Sequence, residues 1–243
     1  MSFISLEFVI FMIVLLLFLY VVNEQEHQNV LLLVASYFFY AFSNWKFLVL
    51  LFLLSTFIYY IGLKIYAGIE DNPKVSKNYL IIGIFVSLSV LCVFKYNNFF
   101  VTEFCNLFGL NCATINIIIP LGLSFYIFRA ISYIADIYLK KIKADKSLVR
   151  VLLYISFFPQ IVSGPIVKAR DFFVLDNDTG SQTIIDRQIT KKNISIGIQI
   201  FTIGLFKKLV IADRLGVCVN DIYSSPSAFS GLSLFFAAIT YSL

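Results

Sequence analysis

Residues Leu148–Val167 read LVRVLLYISFFPQIVSGPIV. Twenty mostly apolar residues are enough for one membrane-spanning helix. Two features argue against a simple crossing. Pro159, Gly164 and Pro165 break helical continuity in the second half. Basic loops also flank the stretch on both sides: Lys140–Arg150 carries four lysines and one arginine, and Lys168–Lys192 carries Lys168, Arg170, Arg187, Lys191 and Lys192. Lys and Arg collect on the cytoplasmic side of membrane proteins. A segment with both ends on one side must enter and return, and irregular backbone at membrane depth survives only against protein or a wet cavity. The expectation is a re-entrant segment lining an internal cavity, with a plain kinked span as the alternative.

Working outward, the whole chain supports lipid as its solvent. Hydrophobic residues make up 60% of it and charged residues 14%, against about 45–50% and 25% in soluble domains. Further apolar runs are Phe8–Val22, Val30–Phe42, Phe47–Leu63, Tyr79–Phe94, Ile115–Tyr138, Ile194–Ala212 and Phe229–Leu243. Val30–Phe42 is short for a full crossing. The predicted architecture is all-α, a polytopic membrane helix bundle of about seven spans plus the re-entrant segment. There is no basic n-region ahead of Phe8 and Glu7 precedes it, so the first run reads as a retained span rather than a cleaved signal. With the third basic loop, Lys64–Lys77, 13 of the 19 Lys and Arg fall on the cytoplasmic side. Counting crossings backwards then puts the N-terminus outside and the Glu24/Glu26 loop inside.

The net charge of +5 is interspersed between apolar runs, where basic residues orient helices and meet anionic headgroups. It is not arranged as a nucleic-acid groove. The spacing of Cys92, Cys105, Cys112 and Cys218 offers no zinc pattern. Cys105 and Cys112 flank a polar loop, and a disulfide between them requires an oxidising compartment; spacing alone does not decide it.

Ionisable groups inside spans are costly and mark candidate sites. Arg129 and Asp136, seven residues apart, lie on nearly one helical face, with Tyr126 and Tyr133 close to it. They form either a polar seam facing a substrate cavity, or an interfacial Asp136 and an Arg129 that pairs with a neighbouring helix. Lys207, Lys208, Asp213 and Arg214 read as an interfacial cluster with snorkelling lysines. His27, the single histidine, sits in the QEHQN loop between acidic neighbours, and no catalytic triad assembles around it. There is no glycine-rich phosphate loop.

Three runs carry a resemblance: Pro120–Tyr138 (PLGLSFYIFRAISYIADIY), Phe157–Phe172 (FFPQIVSGPIVKARDF) and Gly204–Arg214 (GLFKKLVIADR). In this order they resemble the bacterial branch of the membrane-bound O-acyltransferase family, which includes alginate O-acetylases and peptidoglycan O-acetyltransferases. The resemblance covers essentially the whole chain. It implies that residues 1–243 are a single membrane domain, the N-terminal part of a longer fold of tilted helices around a funnel.

It further implies that Pro159, Gln160, Gly164 and Pro165 shape the funnel wall, while Arg129, Tyr133 and Asp136 line or brace it. Relatives often carry an uncharged polar residue where Arg129 stands. No catalytic residue is assigned, because the family's catalytic histidine is expected beyond Leu243, and His27 does not match it. The implied donor is an acyl thioester such as acetyl-CoA, with no bound cofactor or metal, and the acceptor a hydroxyl of a cell-envelope polysaccharide. Implied partners are the lipid bilayer, a periplasmic acyltransferase component and the missing C-terminal half, with no nucleic acid. The implied location is the inner (cytoplasmic) membrane. The alternatives are a transporter or channel, for which matching broken segments in two halves are lacking, and a non-catalytic remnant.

Overall fold

In a computed structural model the described residues are 5–108, 118–162, 164, 167–173 and 190–242, and every regular element among them is helical. The chain falls into two compact units, Met1–Arg187 and Gln188–Leu243.

The first unit opens with α1 (Leu6–Val21), whose first turn is capped by the Ser5 hydroxyl accepting from the Phe8 amide at 3.3 Å. Phe8, Leu15 and Leu19 are buried, while Ile10, Ile13, Leu17 and Phe18 point outward. That split suits a helix with protein on one side and lipid on the other. α2 (Gln25–Asn44) follows after three residues. It starts five residues ahead of the apolar run read from sequence, so Gln28 and Asn29 are drawn inside. Gln28 explains this: its Nε2 donates to the carbonyls of Leu19 at 3.2 Å and Val22 at 2.6 Å. A helix end leaves its last carbonyls without partners, and a buried amide from the next helix supplies donors. His27 is correspondingly in the first turn of α2 and not in a loop; it is exposed, with Nδ1 2.8 Å from Glu24.

α3 (Lys46–Asp71) and α4 (Pro73–Leu91) meet at a one-residue corner, Asn72. The expected basic loop Lys64–Lys77 is therefore almost entirely helical. Asn72 caps α4 through its side chain on the Val75 amide, and Pro73 occupies the first turn, where its missing N–H has no bond to lose. The Ser76 hydroxyl donates to the Ile65 carbonyl at 3.0 Å across the corner. α4 runs through a π-helical turn, Cys92–Tyr96, into α5 (Asn97–Phe108). Cys105 on α5 is disulfide-bonded, and Cys112 lies outside the described residues.

α6 (Leu123–Tyr138) begins after a Pro120–Gly122 turn. Residues 115–117, the start of the run predicted from sequence, lie outside the described residues. α7 (Leu148–Ser156) stops at Phe157, and α8 (Phe158–Ile161) restarts with Pro159 in its first turn. Proline cannot donate to the preceding turn, so the chain must break before it. All six residues Val151–Ser156 are buried, against α2, α3 and α6. At nine residues, or about 14 Å, α7 is too short to cross a bilayer. A short helix, α9 (Ala169–Phe173), packs on α6.

The second unit is α10 (Lys191–Phe206), a π-helical stretch Lys207–Ala212, α11 (Asp213–Ser224) and α12 (Gly231–Tyr241). α11 and α12 pair, with Tyr223 and Tyr241 edge to face at 6.3 Å. The cluster read as interfacial sits inside the continuous helix, where Lys208 lies 3.7 Å from Asp213. Among the described residues three helices are long and apolar enough to cross a membrane: Lys46–Asp71, Pro73–Cys105 and Lys191–Ser224.

Candidate functional site

Four polar residues of α6, Tyr126, Arg129, Tyr133 and Asp136, fall on its buried face, while Ser124, Ser132 and Tyr138 are half-buried. Tyr126 and Tyr133 are fully buried, Arg129 is 1% exposed and Asp136 8%. Spacings of three and four residues stack them on one side of a helix, and α3, α4, α7 and α9 pack around α6.

Arg129 and Asp136 do not pair. Asp136 faces the end of its own helix, where Lys141 Nζ approaches to 3.6 Å. The Arg129 guanidinium lies over the Tyr154 ring, 4.6 Å from its centroid, with the Phe172 ring at 6.0 Å. The face of an aromatic ring attracts a cation, but it accepts no ordinary hydrogen bond. The Tyr154 hydroxyl donates to the Val167 carbonyl at 3.1 Å and its oxygen stays close to the guanidinium. Nε, Nη1 and Nη2 of Arg129 are buried with no hydrogen-bond partner among the described residues. A buried charge held chiefly by aromatic rings and one nearby phenol leaves a local demand for an acceptor.

Tyr133 is a brace. Its hydroxyl accepts the Asp145 amide at 3.1 Å, and its ring packs on Tyr154 and Phe173 at 6.2 and 5.6 Å. Gly62 of α3 makes room for it: a Cβ there would stand 2.9 Å from the Tyr133 ring.

The residues of the broken segment are brought to the head of α6. Gly122 adopts φ +67°, and a Cβ on it would collide with the Ile161 carbonyl oxygen. Only glycine satisfies both demands at this close approach. Gln160, adjacent to Ile161, is half-buried, with Oε1 buried and unpartnered among the described residues. Gly164 packs back on the 159–160 backbone, 2.9 Å from the Pro159 carbonyl for a Cβ. Pro159 itself is exposed, and Pro165 lies outside the described residues.

Sequence reading missed several residues of this interior. Tyr40 of α2 meets Tyr126 edge to face at 6.5 Å, and their two buried hydroxyls face each other. Ser36, one turn earlier, accepts the Phe158 amide at 3.3 Å and so ties α8 to α2. Phe8, Phe11, Phe39 and Phe158 close one end of the core, with Phe11–Phe158 at 5.3 Å and Phe39–Phe158 at 5.5 Å. Polar residues inside apolar runs were the available signal for Ser36 and Tyr40, but nothing in spacing says which helix they face. The described residues hold no cluster of metal-ligating side chains.

No family model matches the chain, and no solved structure matches it. Curated relatives do. The probable alginate O-acetylase AlgI of Pseudomonas putida is 34% identical over 95% of this chain and 47% of its own length. The corresponding protein of Pseudomonas aeruginosa is 32% identical over 95% of this chain and 44% of its own. The peptidoglycan O-acetyltransferase of Helicobacter pylori is 32% identical over 87% of this chain and 43% of its own. The chain spans about half the length of the curated relatives it matches.

The fold and its apolar helices define an all-helical membrane protein. The chain is a homologue of the bacterial alginate and peptidoglycan O-acetyltransferases, as expected of the N-terminal part of a membrane-bound O-acyltransferase.

Proposed function

We propose that this chain forms the N-terminal part of an O-acyltransferase of the inner membrane. The complete protein would move an acetyl group from a cytoplasmic thioester, such as acetyl-CoA, to a hydroxyl of a cell-envelope polysaccharide. The observation that carries this reading is sequence identity of about one third with the named O-acetylases, over nearly the whole chain.

In the complete site a histidine from sequence beyond the matched half takes the acceptor's proton. The acceptor oxygen then forms a bond to the acyl carbon, the carbon–sulfur bond breaks, and the proton goes to the departing thiolate. The part of this chain is to wall the site. The seam of Arg129 and Gln160, with the Tyr40–Tyr126 hydroxyl pair beside it, supplies buried polar atoms, which suits a passage for a hydroxyl-rich or carbonyl-bearing substrate. Arg129 offers N–H donors on all three guanidinium nitrogens to an oxygen that gains negative charge. About seven crossings, with Leu148–Val167 entering and returning, would set the seam between the two faces.

The test is acetyl transfer from labelled acetyl-CoA to polysaccharide in membranes. Chain 1–243 alone should be inactive, and expression together with the C-terminal half of a relative should give activity. Transfer by the lone chain would sink this division of labour. Substrate flux through proteoliposomes without chemistry would replace it with a transporter.

A further inference from the structure

The loop after α6 borders an open surface depression of about 530 Å³ lined by Lys141, Lys143, Lys146, Arg150, Asp145 and Phe173, among others. Four cations and one carboxylate line it, and counting the carboxylates of Asp136 and Glu26 that reach its cations the balance stays positive. Two of the cations are already engaged: Lys141 faces Asp136 at 3.6 Å, and Arg150 is held by Asp145 at 2.9 Å and Glu26 at 3.5 Å. Lys143 and Lys146 are exposed, with no ion pair among the described residues.

The loop is not a slack tether. Lys140 holds φ +57°, which a non-glycine residue keeps only under local constraint. Ile142 and Ala144 are buried beneath it. The Asp145 amide donates to the Tyr133 hydroxyl at 3.1 Å, and the Tyr59 hydroxyl donates to the Lys146 carbonyl at 2.9 Å. Asp145 Oδ1 accepts the Ser147 amide at 2.7 Å as well as Arg150. Anchors from α3 and α6 therefore fix the backbone, and the two ammonium groups without an ion pair among the described residues stand on an anchored rim.

We propose that this depression is a preformed binding site for a phosphate group, with Lys143 and Lys146 as its free cations and Arg150 as its fixed floor. The phosphate belongs either to an anionic lipid headgroup or to a free phosphate compound. The site is independent of acyl transfer and stands or falls on binding alone. Two like charges near each other gain from an intervening dianion, and a fixed loop loses little freedom on binding.

The experiment uses the full chain purified in detergent. One arm counts phosphatidylglycerol retained in native mass spectrometry. The other follows the shift in unfolding temperature on adding inorganic pyrophosphate. The double variant Lys143→Gln/Lys146→Gln should weaken binding of whichever probe binds by about tenfold or more. Lys143→Arg/Lys146→Arg should keep it. The double variant Lys191→Gln/Lys192→Gln, which removes equal charge elsewhere, should change it less than about twofold. A lipid-only response identifies a headgroup site, and a pyrophosphate response identifies a free phosphate ligand. Neither probe binding overturns the proposal. So does equal loss in both glutamine variants, which would mean diffuse charge. The two lysines bury nothing, so circular dichroism of the variants should match that of the parent.

Discussion

At the scale of residues, Arg129 separates structure from function. A buried guanidinium without a hydrogen-bonded partner destabilises its own fold, and apolar replacement of unpaired buried charge often stabilises. Arg129→Met is therefore expected to leave the unfolding temperature unchanged or to raise it, and to lower acetyl transfer by the assembled enzyme about a hundredfold. A fall in both would make Arg129 a structural residue whose acceptor lies elsewhere in the complete protein. Gly122 makes the opposite kind of claim. Its left-handed backbone and its contact with the Ile161 carbonyl mean that Gly122→Ala should cost about 1–3 kcal/mol. Thermal unfolding in detergent measures this, and an unchanged midpoint would mean that the α6–α8 contact is not made.

At the scale of elements, the helices are held to one another by polar side chains as well as by apolar packing. Gln28 closes the end of α1, and Ser36 receives the first amide of α8. In lipid the apolar surface provides little drive for helices to associate, so such bonds and close packing carry more of the specificity. Gln28→Leu leaves the α1 carbonyls without donors and should cost about 1–2 kcal/mol. Hydrogen exchange should then rise first at residues 19–24. Protection unchanged there would show that the amide is replaceable by water. Cys105 belongs to this scale too. The charge count puts the segment after α4 on the outer face, and a disulfide at Cys105 is the chemistry that an oxidising compartment allows.

At the scale of the whole molecule, that count makes a topological prediction. A cysteine placed at Lys143 should react with a membrane-impermeant maleimide only after the membrane is opened. One placed at Trp45, between α2 and α3, should react from outside. The reverse pattern would invert the orientation, and with it the cytoplasmic side proposed for the thioester. The lysine-lined depression would face the other leaflet, while its affinity for phosphate would be unchanged.

Composition alone determined that this chain lives in lipid, because no soluble core could hide so much apolar surface. Periodicity placed Tyr126, Arg129, Tyr133 and Asp136 on one side of one helix, and proline placed the break in Leu148–Val167. These are local properties of a regular backbone, and sequence spacing carries them fully. Tertiary structure decided the rest. It extended α2 back to Gln25, because a buried glutamine had carbonyls to serve. It turned the expected loop at Lys64–Lys77 into a one-residue corner, because Asn72 and Pro73 cap and restart a helix without a linker. It gave Asp136 to Lys141 and left Arg129 over Tyr154, although their spacing suits one seam. Which side chains meet depends on how separate helices pack, and an apolar run has no direction until a neighbour buries one of its faces.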